Sequence, residues 1–161
     1  MKLTTLCYIE QDGKYLMLYR NKKKNDPSKN KWIGVGGKFE NVEGADECVL
    51  REVKEETGLT LKNYQFRGII SFQQNGDEPE YMHIFTADEF EGTLSEECSE
   101  GELHWVDKDK IMDLNLWEGD RIFLKLLLED APCFFMTLRY EGEKLVEHSV
   151  RYPGGNTKHN T

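Results

Sequence analysis

Apolar and polar positions along the chain fall into short alternating runs and two longer helical ones. Thr4 to Ile9 and Tyr15 to Tyr19 are rich in β-branched, aromatic and aliphatic residues. They flank Gln11-Asp12-Gly13-Lys14, where glycine accepts positive φ, so a hairpin is predicted to open the chain. Asn21 to Lys31 is polar, basic and interrupted by Pro27, which predicts an exposed loop whose default role is solubility. Trp32 to Val35 is short and apolar, and Gly36-Gly37 after it predicts a strand running into a tight turn or a close approach to a ligand. Ala45 to Thr57 holds neither Gly nor Pro and is followed by Gly58, the pattern of a helix closed by a left-handed cap. Tyr64 to Phe72, Tyr81 to Ala87 and Leu103 to Val106 predict strands. Asp120 to Glu129 sets Ile122, Phe123, Leu126 and Leu127 on one face of a second helix, with Asp120 placed to cap it. Phe134 to Tyr140 and Leu145 to Tyr152 flank Glu141-Gly142-Glu143, a second hairpin.

With 161 residues the chain has the size of one domain, expected over residues 1–152 with a flexible tail over 153–161. A hydrophobic share of 38% supports a core, while 32% charged residues exclude a membrane-spanning or fibrous chain. Thirty acidic against 21 basic residues leave a net charge of −9, which repels a nucleic-acid polymer. Cys7, Cys48, Cys98 and Cys133 are widely spaced and form no C-x-x-C pair, which fits reduced thiols. The N-terminus lacks the pattern of a signal peptide, so the cytoplasm is the expected compartment.

Charge becomes informative once it is placed on the first helix. Between Glu40 and Glu56 lie seven acidic residues and two basic ones. Glu52, Glu55 and Glu56 stand at i, i+3 and i+4 and emerge on one face, where like charges repel. A solvated acidic face is one reading. The other is ligation of one or more divalent cations, and an all-oxygen donor set favours Mg²⁺ or Mn²⁺ over zinc. The four histidines are scattered without a metal-ligand spacing. Gly36-Gly37-Lys38 lacks the spacing of a P-loop, which removes kinase and motor ATPase readings.

From Gly37 the chain reads Gly37-x5-Glu43-x7-Arg51-Glu52-Val53-x-Glu55-Glu56-x-Gly58-Leu59, and this resembles the Nudix box of the Nudix hydrolases at every defined position. The resemblance implies an α+β fold, an α/β/α sandwich with a mixed sheet between helices. It implies that Glu52, Glu55 and Glu56 bind a divalent metal, with the Gly36 carbonyl as a further ligand. Glu43 and Arg51 would form a structural ion pair, and Gly37 and Gly58 would shape the loops at either end of the helix. Glu52 is then the first candidate for the base that takes a proton from water, and Glu55 the second. Similarity continues through Trp32, Arg67-Gly68 with Phe72, Glu78-Pro79-Glu80, Trp117 with Asp120 and the final hairpin, and is to the MutT-type 8-oxo-dGTP diphosphatases. It implies Mg²⁺-dependent release of pyrophosphate from oxidised purine nucleoside triphosphates, a nucleotide-pool sanitation activity linked to DNA repair. Within the run Glu96, Glu97, Glu100 and Glu102, the resemblance places one more metal-linked carboxylate or base, with Glu100 as the candidate.

For the base, Trp117 offers an indole face for stacking and Asp120 a hydrogen-bonding edge; ordinary core packing and helix capping are the alternatives. Phe72 either walls the pocket or belongs to the core. Arg20, Lys22, Lys23 and Lys38 are the candidates to meet the triphosphate, Lys38 foremost because it follows the Gly-rich turn, with a solvated loop as the alternative for Lys22 and Lys23. Two positions depart from the pattern. Ile33 stands where relatives have a hydrogen-bonding Asn, and Gly119 where some have a second Asp. The expected partner is a small nucleotide, with neither nucleic-acid polymer nor membrane, for a monomer or homodimer. Hydrolysis of another nucleoside diphosphate derivative, such as ADP-ribose or a dinucleotide, is the alternative activity, and a non-catalytic nucleotide sensor a third.

Overall fold

The computed structural model describes residues 1–154 and 156–158. Its elements in chain order are β1 (Lys2–Gln11), β2 (Lys14–Tyr19), β3 (Trp32–Ile33), β4 (Val35–Lys38), α1 (Ala45–Thr57), β5 (Thr60–Gln74), β6 (Glu80–Glu91), β7 (Glu102–Asp107), a 3-10 turn (Lys108–Asp113), α2 (Glu118–Leu128), β8 (Phe134–Glu141), β9 (Lys144–Tyr152) and β10 (Asn156–Lys158). The strands run in the order β10-β9-β8-β5-β6-β1-β2-β3, with β4 on β1 and β7 on β2. β1 pairs parallel with β6, and β5 parallel with β8, while the other pairings are antiparallel, so the sheet is mixed.

The two helices cover different parts of this sheet. α1 buries Val49 and Val53 against an apolar cluster containing Cys7, Ile9, Leu16, Val35, Leu59 and Phe85. α2 buries Phe123, Leu124 and Leu127 against Tyr8, Ile70, Met136, Leu138 and Tyr140. The result is the helix-sheet-helix sandwich expected from the sequence. Gly58 closes α1 in the left-handed conformation at φ 80°, its N–H donating to the Lys54 carbonyl at 3.0 Å.

Two local expectations need correction. Gly36-Gly37 does not make a turn: both lie inside β4, opposite Leu6 and Thr5 of β1. A Cβ at Gly36 would fall 1.9 Å from the Thr5 carbonyl oxygen, so close backbone approach demands glycine here. Asp120 does not cap α2. The cap is Trp117, and Asp120 sits in the first turn with its N–H on the Trp117 carbonyl at 3.0 Å. Burial of the indole pulls the helix start back by a few residues. The four cysteines are free thiols, three of them buried. Among the described residues no helix is long and apolar enough to cross a membrane. Of the tail expected to be flexible, residues 155 and 159–161 lie outside the described residues; Asn156–Lys158 pair with β9.

Candidate active site

A cavity of about 460 Å³ opens beside β1 and β4, with Gly36 and Gly37, on which α1 packs, at one end and the start of α2 at the other; Glu52, Glu55 and Glu56 of α1 are not themselves among its lining residues. Its volume lies within the range usual for small-molecule sites.

At the α1 end, Glu52 is packed directly on Gly37: a Cβ at that position would fall 2.4 Å from Oε2 of Glu52. Arg51 leaves the same helix turn and reaches back over the loop. Its Nε and Nη2 donate to the two carboxylate oxygens of Glu43 at 2.6 and 2.9 Å, and Nη2 also donates to the Lys38 carbonyl at 3.0 Å. This bidentate contact holds the loop against the helix. The guanidinium beside Glu43 keeps that carboxyl well below the usual range. The spare Nη1 lies 2.8 Å from Glu52 and 3.2 Å from Glu55.

Deeper in, Glu56 faces Glu100 from the segment before β7. Burial and then the Glu100 charge push the Glu56 carboxyl well above its ordinary range, and burial raises Glu52 in the same direction against the pull of Arg51. Glu56 Oε2 is buried and has no hydrogen-bond partner. A buried carboxylate oxygen facing two further carboxylates is a costly arrangement that a cation would relieve. Glu52, Glu56 and Glu100 are the oxygen donors that could hold a hard divalent ion here. Glu55 is farther out, with its side chain 57% exposed. Among the described residues no three acidic, imidazole or thiol side chains are already drawn together as a finished ligand cluster.

The other end is aromatic. Trp117, Phe72 and Asp120 line the cavity together with Leu6, Ile33 and Met82. The Trp117 ring meets the edge of Tyr140 at 5.2 Å, and Phe72 meets the same tyrosine at 5.4 Å. The Trp117 indole N–H donates to Ser28 Oγ at 3.1 Å, and Lys31 Nζ lies 4.9 Å over the ring. Asp120 is 8% exposed, and burial pushes its carboxyl up to about 7 even though Lys31 and Arg121 pull it down. Gly119 leaves no room for a side chain: a Cβ would fall 2.6 Å from Leu138 Cδ1 and 2.7 Å from Tyr140 Oη. The tyrosine hydroxyl instead accepts the Gly119 N–H at 2.7 Å.

Of the predicted residues, Gly36, Gly37, Arg20, Lys38, Glu100, Phe72, Trp117 and Asp120 all line this cavity. Lys23 lies at its edge, 3.4 Å from Glu100. Arg20 faces carboxylates, with Nε 2.6 Å from Asp26 and Nη1 3.7 Å from Glu100. Lys22 donates to the Cys98 carbonyl and is a loop anchor. Glu96 and Glu97 are exposed, and Glu102 binds Asn21 and His104 on the surface. Sequence reasoning missed Asp26, Ser28, Lys31 and Tyr140. Asp26-Pro27-Ser28 does carry a turn signal, since an Asp side chain accepts an N–H two residues on, but nothing in it reveals that Trp117 lies above.

The profile of the NUDIX domain matches residues 2–127. An oxidized purine nucleoside triphosphate hydrolase of Danio rerio is 35% identical over 152 residues, covering 92% of this chain and 94% of the relative. An uncharacterised Nudix hydrolase of Bacillus subtilis, YvcI, is 31% identical over 147 residues, 89% of each chain. A mutator MutT protein from Bacillus halodurans has a crystal structure that superposes with a TM-score of 0.83 at 29% identity, covering 93% of this chain and 97% of its own.

Proposed function

This chain belongs to the NUDIX domain family of hydrolases acting on nucleotide derivatives, and on that premise we propose that its substrate is an oxidised purine nucleoside triphosphate, 8-oxo-dGTP first, cleaved to nucleoside monophosphate and pyrophosphate. The observation that carries this reading is a cavity whose wall holds Glu100 and Gly37, against which Glu52 packs, at one end and the Trp117 indole with buried Asp120 at the other. A triphosphate and a purine need that pairing of ends.

Glu52, Glu56 and Glu100, with Glu55 at the rim and the Gly36 carbonyl, would hold Mg²⁺, for which Mn²⁺ can substitute. Such an ion supplies charge neutralisation at phosphate oxygens and a more acidic water. Glu52 takes the proton from the attacking water, because Gly37 of the cavity wall leaves room for its carboxylate to pack there and Arg51 steadies it. Water attacks the β-phosphorus, the bond from that phosphorus to the α,β-bridging oxygen breaks, and the nucleoside monophosphate leaves, the β- and γ-phosphates being released as pyrophosphate. Lys38 and Lys23 meet the outer phosphates. At the far end the base stacks on Trp117 beside Phe72. An ionised Asp120 accepts from the N7–H that an 8-oxopurine carries, and repels the N7 lone pair of an unoxidised purine.

The test compares kcat/KM for 8-oxo-dGTP and dGTP with Mg²⁺, detecting pyrophosphate and orthophosphate separately. A preference for the oxidised base with pyrophosphate released is expected. Equal rates would overturn the base assignment, and turnover of ADP-ribose or a dinucleotide in place of both would replace the triphosphate.

A further inference from the structure

The loop between β2 and β3 holds an aspartate that the chemistry above does not use. Asp26 lies among exposed residues, Lys24, Asn25 and Pro27, yet its side chain is 1% exposed. A carboxylate facing a cavity meant for phosphates is repulsive unless it is paired, and here both of its oxygens are engaged. Oδ2 accepts Arg20 Nε–H at 2.6 Å, and Oδ1 accepts the Ser28 N–H at 2.9 Å. Each partner leads to a different end of the cavity. Arg20 Nη1 lies 3.7 Å from Glu100 Oε2, beside Glu56. Ser28 Oγ accepts the Trp117 indole N–H at 3.1 Å. Glu100, Arg20, Asp26, Ser28 and Trp117 thus form a continuous chain of polar contacts along one wall, and all five line the cavity.

We infer that Asp26 is a positioning residue for base discrimination: one carboxylate holds the backbone of Ser28, whose hydroxyl orients the indole, and the arginine that reaches the carboxylate end, so the two ends are held in register. The inference rests on the purine triphosphate reading. An indole is planar, and its stacking and the direction of the neighbouring Asp120 edge depend on its rotation about two side-chain torsions. The indole N–H is its single polar anchor, and Ser28 is the acceptor. Misalignment of this wall weakens the discriminating contacts more than it slows proton transfer at Glu52, so the signature is in relative specificity and KM.

The experiment uses Ser28→Ala and Asp26→Asn in the full chain, with two readouts. The first, free of substrate, is solvent exchange of the Trp117 indole N–H followed by NMR. The second is the ratio of kcat/KM for 8-oxo-dGTP to that for dGTP. Ser28→Ala removes the acceptor outright, and roughly tenfold faster indole exchange with a roughly tenfold lower ratio is expected. Asp26→Asn breaks the pair with Arg20 that anchors the side chain, so its hold on the Ser28 N–H loosens, and it should move both readouts in the same direction with KM rising more than kcat falls. If Asp26→Asn is unfolded by circular dichroism, Asp26→Glu replaces it, since the longer arm displaces Ser28 while keeping the charge on Arg20. Folded variants at Asp26 that leave indole exchange and the ratio within twofold of wild type would overturn the inference alone. A wild-type chain that turns over no purine triphosphate would instead sink the functional reading on which it rests.

Discussion

The two ends of the cavity are built in opposite ways. The carboxylate end comes mainly from one stretch of chain, Gly36 to Gly58, with Glu100 and its partners Arg20 and Lys23 brought in from elsewhere. The aromatic end is assembled from residues far apart in sequence: Phe72, Trp117 and Asp120 with Ser28, whose bond to Trp117 spans 89 positions. A contiguous loop and helix can carry charges whose mutual repulsion is held in place by helix geometry and an Arg51 clamp. A base pocket needs walls on several sides, which only separate strands and helices supply. On the proposed function, chemistry is tied to one segment, while specificity is spread over the fold.

The strongest way to break this comparison is to neutralise the carboxylate end. Glu52→Gln should lower kcat on the order of 10²–10⁴-fold with the fold intact, measured by pyrophosphate release and circular dichroism. Near-normal turnover would remove Glu52 from proton transfer. Glu56→Gln should abolish the rise in melting temperature that Mg²⁺ gives the wild type, while raising stability without the ion, because an unfavourable buried like-charge contact is gone. At the other end, Trp117→Ala should cost roughly tenfold to a hundredfold in KM for the preferred nucleotide, as one lost stacking contact predicts, with a smaller change in kcat. If kcat fell as far as in Glu52→Gln, the separation of the two ends would be wrong.

A pH experiment sharpens the contrast within the aromatic end. Burial raises the Asp120 carboxyl to about 7 in the folded chain from an ordinary value of 3.8, so the folded form binds more protons than the unfolded form between those values. Its contribution to stability is present below the ordinary value and is lost as pH rises through about 7. The difference in melting temperature between wild type and Asp120→Asn should therefore shift against the wild type from pH 5 to 8; a constant difference would contradict the burial. The oxidised-to-unoxidised preference should grow over the same interval as Asp120 ionises. The smallest effect expected is at Gly119. Alanine in a helix usually stabilises, but here its Cβ would meet Leu138 and Tyr140 Oη, so Gly119→Ala should cost about 1–3 kcal/mol, a drop of several degrees in melting temperature.

What the sequence reveals follows the same divide. Ala45 to Thr57 declares its helix because nothing in it breaks one and Gly58 stops it, and the glutamates on its face are visible from spacing alone. Gly36-Gly37 is misread as a turn because glycine serves both tight turns and close backbone approach, and only the pairing with Thr5 and Leu6 tells which. Asp120 is misread as a cap because a helix-start aspartate looks the same whether it faces water or a buried pocket. Gly119 shows as a missing second carboxylate, but not that Tyr140 from β8 occupies the space. Asp26, Ser28 and Lys31 sit in a stretch that reads as solvated loop, and their contacts with Arg20 and Trp117 exist only once β2, β3 and α2 are side by side.

The parallel pairing of β1 with β6 has a consequence for how the chain is made. Lys2 lies opposite Glu80 and Ile9 opposite Ala87, a separation of 80 − 2 = 78 residues. During synthesis the first strand can find β2 at once and β4 soon after, but its other edge stays open until residue 87 has emerged. The segment that closes this edge is the one that brings Glu80 and Met82 to the cavity. Until Ala87 has emerged, that edge of β1 is an unpaired strand, the kind of edge that invites pairing with another chain.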